Sequence, residues 1–74
     1  MDPKVKKFLI ELCEGNIAAI EADILYSRHQ LSLPSIHRLD GSPKWEEEVE
    51  TNLSQVLLPT QLKFKNALKE LENA

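Results

Sequence analysis

The sequence predicts an all-α protein, a small bundle of three long or four shorter amphipathic helices. Apolar residues recur at spacings of three and four along most of the 74 residues, as in helices with one buried face. Clear helix-start signals occur at Asp2-Pro3 and Ser42-Pro43. The composition, 42% hydrophobic and 28% charged, is near the globular average. We therefore expect one small domain over residues 1–74.

The first helix is predicted over residues 3–14. Asp2 can cap the free backbone amides, and the fixed φ of Pro3 suits a first helical turn. Gly15 is typical of the residue that closes a helix. The apolar stripe, expected to face the core, consists of Val5, Phe8, Leu9, Leu12 and Cys13.

A second helix is predicted over residues 17–29, with Asn16 as its cap. Its buried face would carry Ile17, Ile20 and Ile24, which follow helical spacing. The short joint at Gly15 and Asn16 makes the first two helices neighbours, either as an antiparallel hairpin or as a more open corner.

An irregular connection is expected over residues 30–42, because proline and turn-forming residues interrupt the helical period there. Residues 34–39 have room for one helical turn, with Ile36 and Leu39 facing inward. The apolar side chains of this stretch would close one side of the core or form an exposed docking strip; they are Leu31, Leu33, Ile36 and Leu39.

Two further helices are predicted over residues 43–57 and 60–72. Ser42 is a suitable cap for the first of them, and Pro59 should end or kink the helix that reaches it. The alternative is a single bent helix from Pro43 to the end of the chain. That alternative rests on a spacing of three and four that continues across the proline, at Leu53, Leu57, Thr60, Phe64, Ala67 and Leu71.

Charge and cysteine content narrow the functional classes. A formal net charge of -3 argues against a protein whose main work is coating nucleic acid or an anionic membrane. Cys13 has no second cysteine, so no intramolecular disulfide can form and a reducing compartment is favoured. No apolar run is long enough to span a bilayer. We expect a cytoplasmic protein, or a nuclear one if the source is eukaryotic.

No catalytic or metal-binding motif is evident. Cys13 belongs to an apolar stripe, and His29 and His37 lack the spacing of a zinc site. The glutamates that follow Lys44 fan around a helix start and offer no focused acid and base pair. The sequence predicts no enzyme, no cofactor, no metal and no small-molecule substrate.

Binding to another protein is the predicted function. A core of this size seldom supplies more than about 3–5 kcal/mol, so a partner helix or a second copy of the chain is expected on an apolar helix face. Ile10 and Tyr26 lie off the predicted stripes, whereas Trp45 either packs in the core or anchors a partner. The candidate contact residues are Ile10, Tyr26, Arg28, Leu33, Ile36, Arg38 and Trp45.

An alternative hypothesis is a small DNA-binding regulator that uses the second helix and the basic segment 28–44. Residues 12–31, with the Gly15-Asn16 joint, resemble a factor-for-inversion-type helix-turn-helix. The chain departs from that pattern at Ile20, Glu21 and Leu25, and Glu21 would repel phosphates. No family is assigned from this resemblance.

Overall fold

The protein is an antiparallel pair of long helices in a computed structural model that describes residues 1–38 and 40–74. The first helix, α1, is Pro3–Ser32, and a short 3₁₀ turn over Ser35–His37 lies in the connection that follows it. The remainder of the chain forms one continuous helical segment, the second arm (residues 43–72). It consists of α2 (Pro43–Asn52), a π-helical turn (Leu53–Leu57) and α3 (Leu58–Glu72).

The molecule is elongated, with principal extents of 52 × 18 × 13 Å. Its radius of gyration is 16.2 Å, whereas a compact domain of this length would have about 11 Å. The two arms therefore lie side by side and enclose no third layer of structure.

The all-α prediction is confirmed, but the bundle of three or four helices is wrong, because the structure has two long helices. Gly15 and Asn16 lie inside α1 and do not separate two helices. The side chain of Asn16, which was expected to cap a second helix, donates a hydrogen bond to the Leu12 carbonyl, 2.8 Å away, within α1. A mid-helix glycine costs only about 1 kcal/mol, less than the packing gained by keeping the helix in phase on both sides of it.

The break expected between residues 57 and 60 is also absent. Pro59 lies in the first turn of α3, directly after the π-helical turn. Within that turn the Leu58 N–H donates to the Leu53 carbonyl, five residues back. Widening the helix in this way accommodates an extra residue, and such turns occur beside prolines in bent helices. The alternative of a single bent helix over this half of the chain is the correct one.

Both helix starts follow the predicted chemistry. The Asp2 carboxylate accepts a hydrogen bond from the Lys4 backbone amide at 2.7 Å. The Ser42 hydroxyl likewise accepts from the Trp45 amide at 3.2 Å. Because side-chain capping depends only on neighbouring residues, the sequence alone locates these two boundaries.

An inner seam holds the two arms together. On α1 it repeats at alternating spacings of three and four, and its apolar members are Ile10, Cys13, Ile17, Ile20, Ile24 and Leu31. The second arm contributes Val49, Leu53, Leu57, Thr60, Phe64, Ala67 and Leu71. Most of these side chains are only half-buried, and among the described residues Ile24, at 4% exposure, is the one buried apolar side chain. A core of this kind supplies little stability by itself.

The apolar residues of the connection differ in how far they are exposed to solvent. Leu31 and Leu33 are half-buried, whereas Ile36 is 85% exposed, so the expectation that Ile36 faces inward is wrong. The 3₁₀ turn is one turn long and its single apolar side chain points away from both arms. Leu39, which was expected to face inward beside it, lies outside the described residues.

The two glycines differ in the space available for a side chain. A Cβ at Gly41 would lie 2.5 Å from the Ser35 carbonyl oxygen, whereas a Cβ at Gly15 would meet nothing within 4 Å. We expect Gly41→Ala to destabilise the hairpin by about 1–3 kcal/mol through overpacking. Gly15→Ala should instead stabilise it by up to about 1 kcal/mol through helix propensity. Urea unfolding of both variants followed by circular dichroism tests this; equal shifts would contradict the close approach at Gly41.

Candidate interaction surface

Helix α1 is apolar on two opposite faces. A second set of residues follows the same spacing of three and four as the inner seam, and helix geometry places it about 160° around the axis from that seam. We call this set the outer stripe, and it consists of Val5, Phe8, Leu12, Gly15, Ala19, Ala22 and Tyr26. Every one of these residues is exposed.

The large side chains of the outer stripe are at its two ends. Phe8 is 63% exposed, Val5 50% and Leu12 51%, all in the first three turns of α1. Tyr26 is 51% exposed near the other end of the helix. Gly15, Ala19 and Ala22 lie between them and have small or no side chains. The stripe is therefore a row of three large apolar residues, a shallow section and then Tyr26, about 32 Å long in all.

The sequence prediction of the buried face was wrong in part for the first turns of α1, although Leu9 and Cys13, predicted on that face, are half-buried. Val5, Phe8 and Leu12 were expected in the core, yet they point outward. Ile10, expected off the buried stripe, is half-buried on the seam side of α1. The cause is the false break at Gly15: once α1 is continuous, the phase of Ile17 and its successors also fixes the first turns. Following the spacing backwards from Ile17 through Cys13 to Ile10 would have identified the outer stripe.

Charged residues flank the outer stripe along one side. Lys4 and Lys7 lie beside its bulky end, and Glu21 lies beside its shallow end. All three side chains are exposed. Lys6 differs from them, because its ammonium group donates to the Ala74 backbone oxygen at 2.7 Å and so links the start of α1 to the end of the second arm.

Arg38 holds the turn between the arms. Its guanidinium donates to the Leu33 carbonyl at 2.8 Å and to the Leu31 carbonyl at 2.9 Å, at the end of α1 where carbonyls lack helical partners. A third bond of 2.9 Å, also a salt bridge, reaches the Glu46 carboxylate at the start of α2. Only 9% of the Arg38 side chain is exposed. This guanidinium therefore connects three segments of the hairpin, and little of its side chain is open to solvent.

The remaining candidate contact residues differ in exposure. Tyr26 belongs to the outer stripe, and Arg28 is exposed two residues further along α1. Ile36 is exposed in the connection, whereas Leu33 and Trp45 are half-buried. Of these predicted residues, the structure brings Leu33 and Arg38 into direct contact, through a hydrogen bond.

Asp40 stabilises the chain just before α2. Its carboxylate accepts a hydrogen bond of 2.9 Å from the Ser42 backbone amide. This bond, with a further one from the Ser42 side chain, lowers the pKa of Asp40 below its ordinary value. Because Ser42 is itself the cap of α2, the two residues together define where the second arm begins.

Other kinds of site find no support in the part of the chain that the structure describes. There, no three or more His, Cys, Asp or Glu side chains are grouped so that they could bind a metal ion. No described helix combines the length and the apolar character needed to cross a membrane. Residues 12–31 form continuous helix, so the turn of a helix-turn-helix is absent from this segment.

Among the described residues, the outer stripe thus places four exposed large apolar side chains on one face of a single helix. Comparison with protein-family models, with curated proteins and with solved structures gives no match to this chain.

Proposed function

We propose that this protein is a non-enzymatic interaction module that binds an α-helix along the outer stripe of α1. The observation that supports this most is the position of Phe8, which is 63% exposed on the face of α1 opposite the second arm. Val5 and Leu12 lie one turn away on either side of it and are half-exposed. A contiguous apolar row of this kind is a typical helix-docking surface.

The balance of free energy favours such a complex. Burial of apolar surface stabilises by about 25 cal/mol per Å², and the hairpin alone leaves Val5, Phe8 and Leu12 at least half exposed to water. Gly15, Ala19 and Ala22 add a section where a second helix can approach the α1 backbone closely. A bound helix would cover α1 on the face that the second arm leaves open.

The contribution of Phe8 can be tested with a matched pair of variants. A synthetic three-heptad amphipathic peptide with leucine on one face is titrated into the isotopically labelled chain, and amide shifts are followed by NMR. We expect the peptide to shift amides along the outer stripe, and Phe8→Asp to weaken its binding by at least about tenfold, because a carboxylate would be desolvated. Leu62→Asp is the control, since Leu62 is 59% exposed on α3.

The two variants separate a specific surface from general hydrophobicity. Retained binding by the Leu62 variant together with loss in the Phe8 variant supports the proposal. Equal losses, or peptide-induced shifts confined to the second arm, would contradict it. Absence of any shift in the wild-type chain at a concentration where it is monomeric would also remove the outer stripe as a docking surface.

A further inference from the structure

We infer that the helix bound by the outer stripe is α1 of a second copy of this chain, running antiparallel to the first. This inference depends on the proposed function, because it names the partner of the same surface. It follows from two properties of α1: the order of large and small residues along the stripe, and the order of charges beside it. Each property is independent of the other.

Side-chain size selects an antiparallel arrangement. With the two α1 helices crossing near residues 13 and 14, Phe8 lies opposite Ala19 of the second copy, and Val5 lies opposite Ala22. Leu12 then lies opposite Gly15, which has nothing within 4 Å of its Cβ position in the hairpin. Each of these three large residues meets a small one, and symmetry repeats every contact. A parallel pair would place Phe8 on Phe8 at one end and alanine on alanine at the other, and would leave gaps.

Charge favours the same register at the two ends of the pairing. In this arrangement Lys4 and Lys7 lie at the level of Glu21 of the second copy and on the same side of the interface, whereas Glu14 faces Glu14 of the second copy at the crossing. A shift by one heptad in one direction would bring Lys7 opposite Arg28 and Glu14 opposite Glu21. A shift in the other direction would pair Lys7 with Glu14, but it would place Phe8 opposite Leu12, two large side chains. Parallel pairing would face lysine with lysine and glutamate with glutamate. Like charges that face each other oppose association, so size and charge together favour one register.

The resulting dimer explains why α1 is apolar on both faces. Each α1 would lie between its own second arm and the α1 of the other copy, and the two second arms would be outermost. The pairing covers about three heptads, and small residues at its centre allow the backbones to approach closely. Two copies together would thus gain the buried apolar layer that one hairpin lacks.

Charge reversal tests the register. The first variant carries Lys4→Glu and Lys7→Glu, and the second carries Glu21→Lys; dimer dissociation constants are measured by sedimentation equilibrium at low salt. We expect each variant alone to dimerise about tenfold more weakly than wild type, because opposite charges become like charges at both ends. A chain with all three substitutions, or an equimolar mixture of the two variants, should recover wild-type affinity. Lys63→Glu with Lys65→Glu, two exposed positions on α3, controls for net charge.

Each outcome of this experiment is decisive. Recovery in the triple variant supports the antiparallel register, whereas parallel pairing predicts that wild type, first variant and triple variant associate with similar strength. A chain that stays monomeric at every concentration overturns the inference. In that case the peptide titration described above still decides the proposed function, so the two failures are distinguishable.

Spin labels measure the arrangement directly. Labels are attached to cysteines placed at Glu11 or Arg28 in a Cys13→Ala background, and distances between copies are obtained by pulsed electron resonance. At a rise of about 1.5 Å per residue, the antiparallel register predicts axial offsets of about 8 Å at position 11 and about 44 Å at position 28. Parallel pairing predicts no offset at either position. Equal distances at the two positions would overturn the inference even if the chain is dimeric.

Discussion

Ile24→Ala should leave most of the molecules unfolded at room temperature. Ile24 is 4% exposed and is the buried apolar side chain at the middle of the inner seam. Truncating a buried isoleucine to alanine costs about 2–5 kcal/mol, because apolar contacts are lost and a cavity remains. A core of this size seldom supplies more than about 3–5 kcal/mol in total. One substitution can therefore remove nearly all of the stability of the hairpin.

Leu62→Ala is the matched control, since it removes an aliphatic side chain that is 59% exposed on α3. Thermal unfolding followed by circular dichroism should show a change within about 0.5 kcal/mol for this control. For Ile24→Ala we expect low helix content already at the start of the scan. Equal melting temperatures for the Ile24 variant and wild type would show that the inner seam is not what holds the arms together.

The features of the fold that depend on near neighbours are the ones that the sequence predicts. Asp2 and Ser42 cap their helices because a short polar side chain can reach a backbone amide two or three residues away. Pro3 and Pro43 then fit the first turns, where a missing amide hydrogen costs nothing. None of this requires knowledge of what lies across the hairpin.

The number of helices could not be predicted in the same way. Gly15 and Pro59 each disfavour a helix locally, by about 1 kcal/mol and about 3 kcal/mol respectively in host peptides. Whether the helix continues past these residues depends on packing against the other arm. That packing is greatest when the seam is continuous from Ile10 to Leu31 on α1 and from Val49 to Leu71 on the second arm. A π-helical turn also precedes Pro59, and no residue in the sequence predicts this change in backbone hydrogen bonding.

The candidate surface was missed for the same reason, with one exception. Tyr26 was proposed as a contact residue because it lies off the stripe of Ile20 and Ile24, and it does lie on the outer stripe. Val5, Phe8 and Leu12 have the spacing of a core, and only the phase imposed by the residues after Gly15 shows that they face outward. A helix that is apolar on two faces cannot be assigned one buried face from its own first four turns.

The two apolar faces of α1 have separate roles: the inner seam packs against the second arm, and the outer stripe is the proposed binding surface. If α1 were apolar on one face only, packing against the second arm would explain its composition without a partner. Here the residues that are left in water are larger than many in the seam: Phe8 is exposed, whereas Ala67 and Cys13 are half-buried. Several large apolar side chains exposed along one face are difficult to explain for a module that works alone.

Arg38→Ala is expected to destabilise the hairpin by about 2–3 kcal/mol, because its hydrogen bonds are charge-assisted and largely shielded from water. Two of them satisfy the Leu31 and Leu33 carbonyls, which have no helical partner beyond the end of α1. Without the guanidinium these carbonyls lose their partner, and the first turn of α2 loses its link to α1. Urea unfolding, with the midpoint and slope fitted together, measures the effect.

Two further variants show which part of the Arg38 contact matters. Arg38→Lys should recover only part of the stability, because an ammonium group cannot form the planar fork that reaches both carbonyls and Glu46. Glu46→Gln should cost less than about 1 kcal/mol, since the Glu46 side chain is 45% exposed and its ion pair is screened by water. If Glu46→Gln were as damaging as Arg38→Ala, the salt bridge rather than the capping of α1 would be the main role of Arg38. The ranking of the three variants therefore assigns the stabilisation to the carbonyls or to the carboxylate.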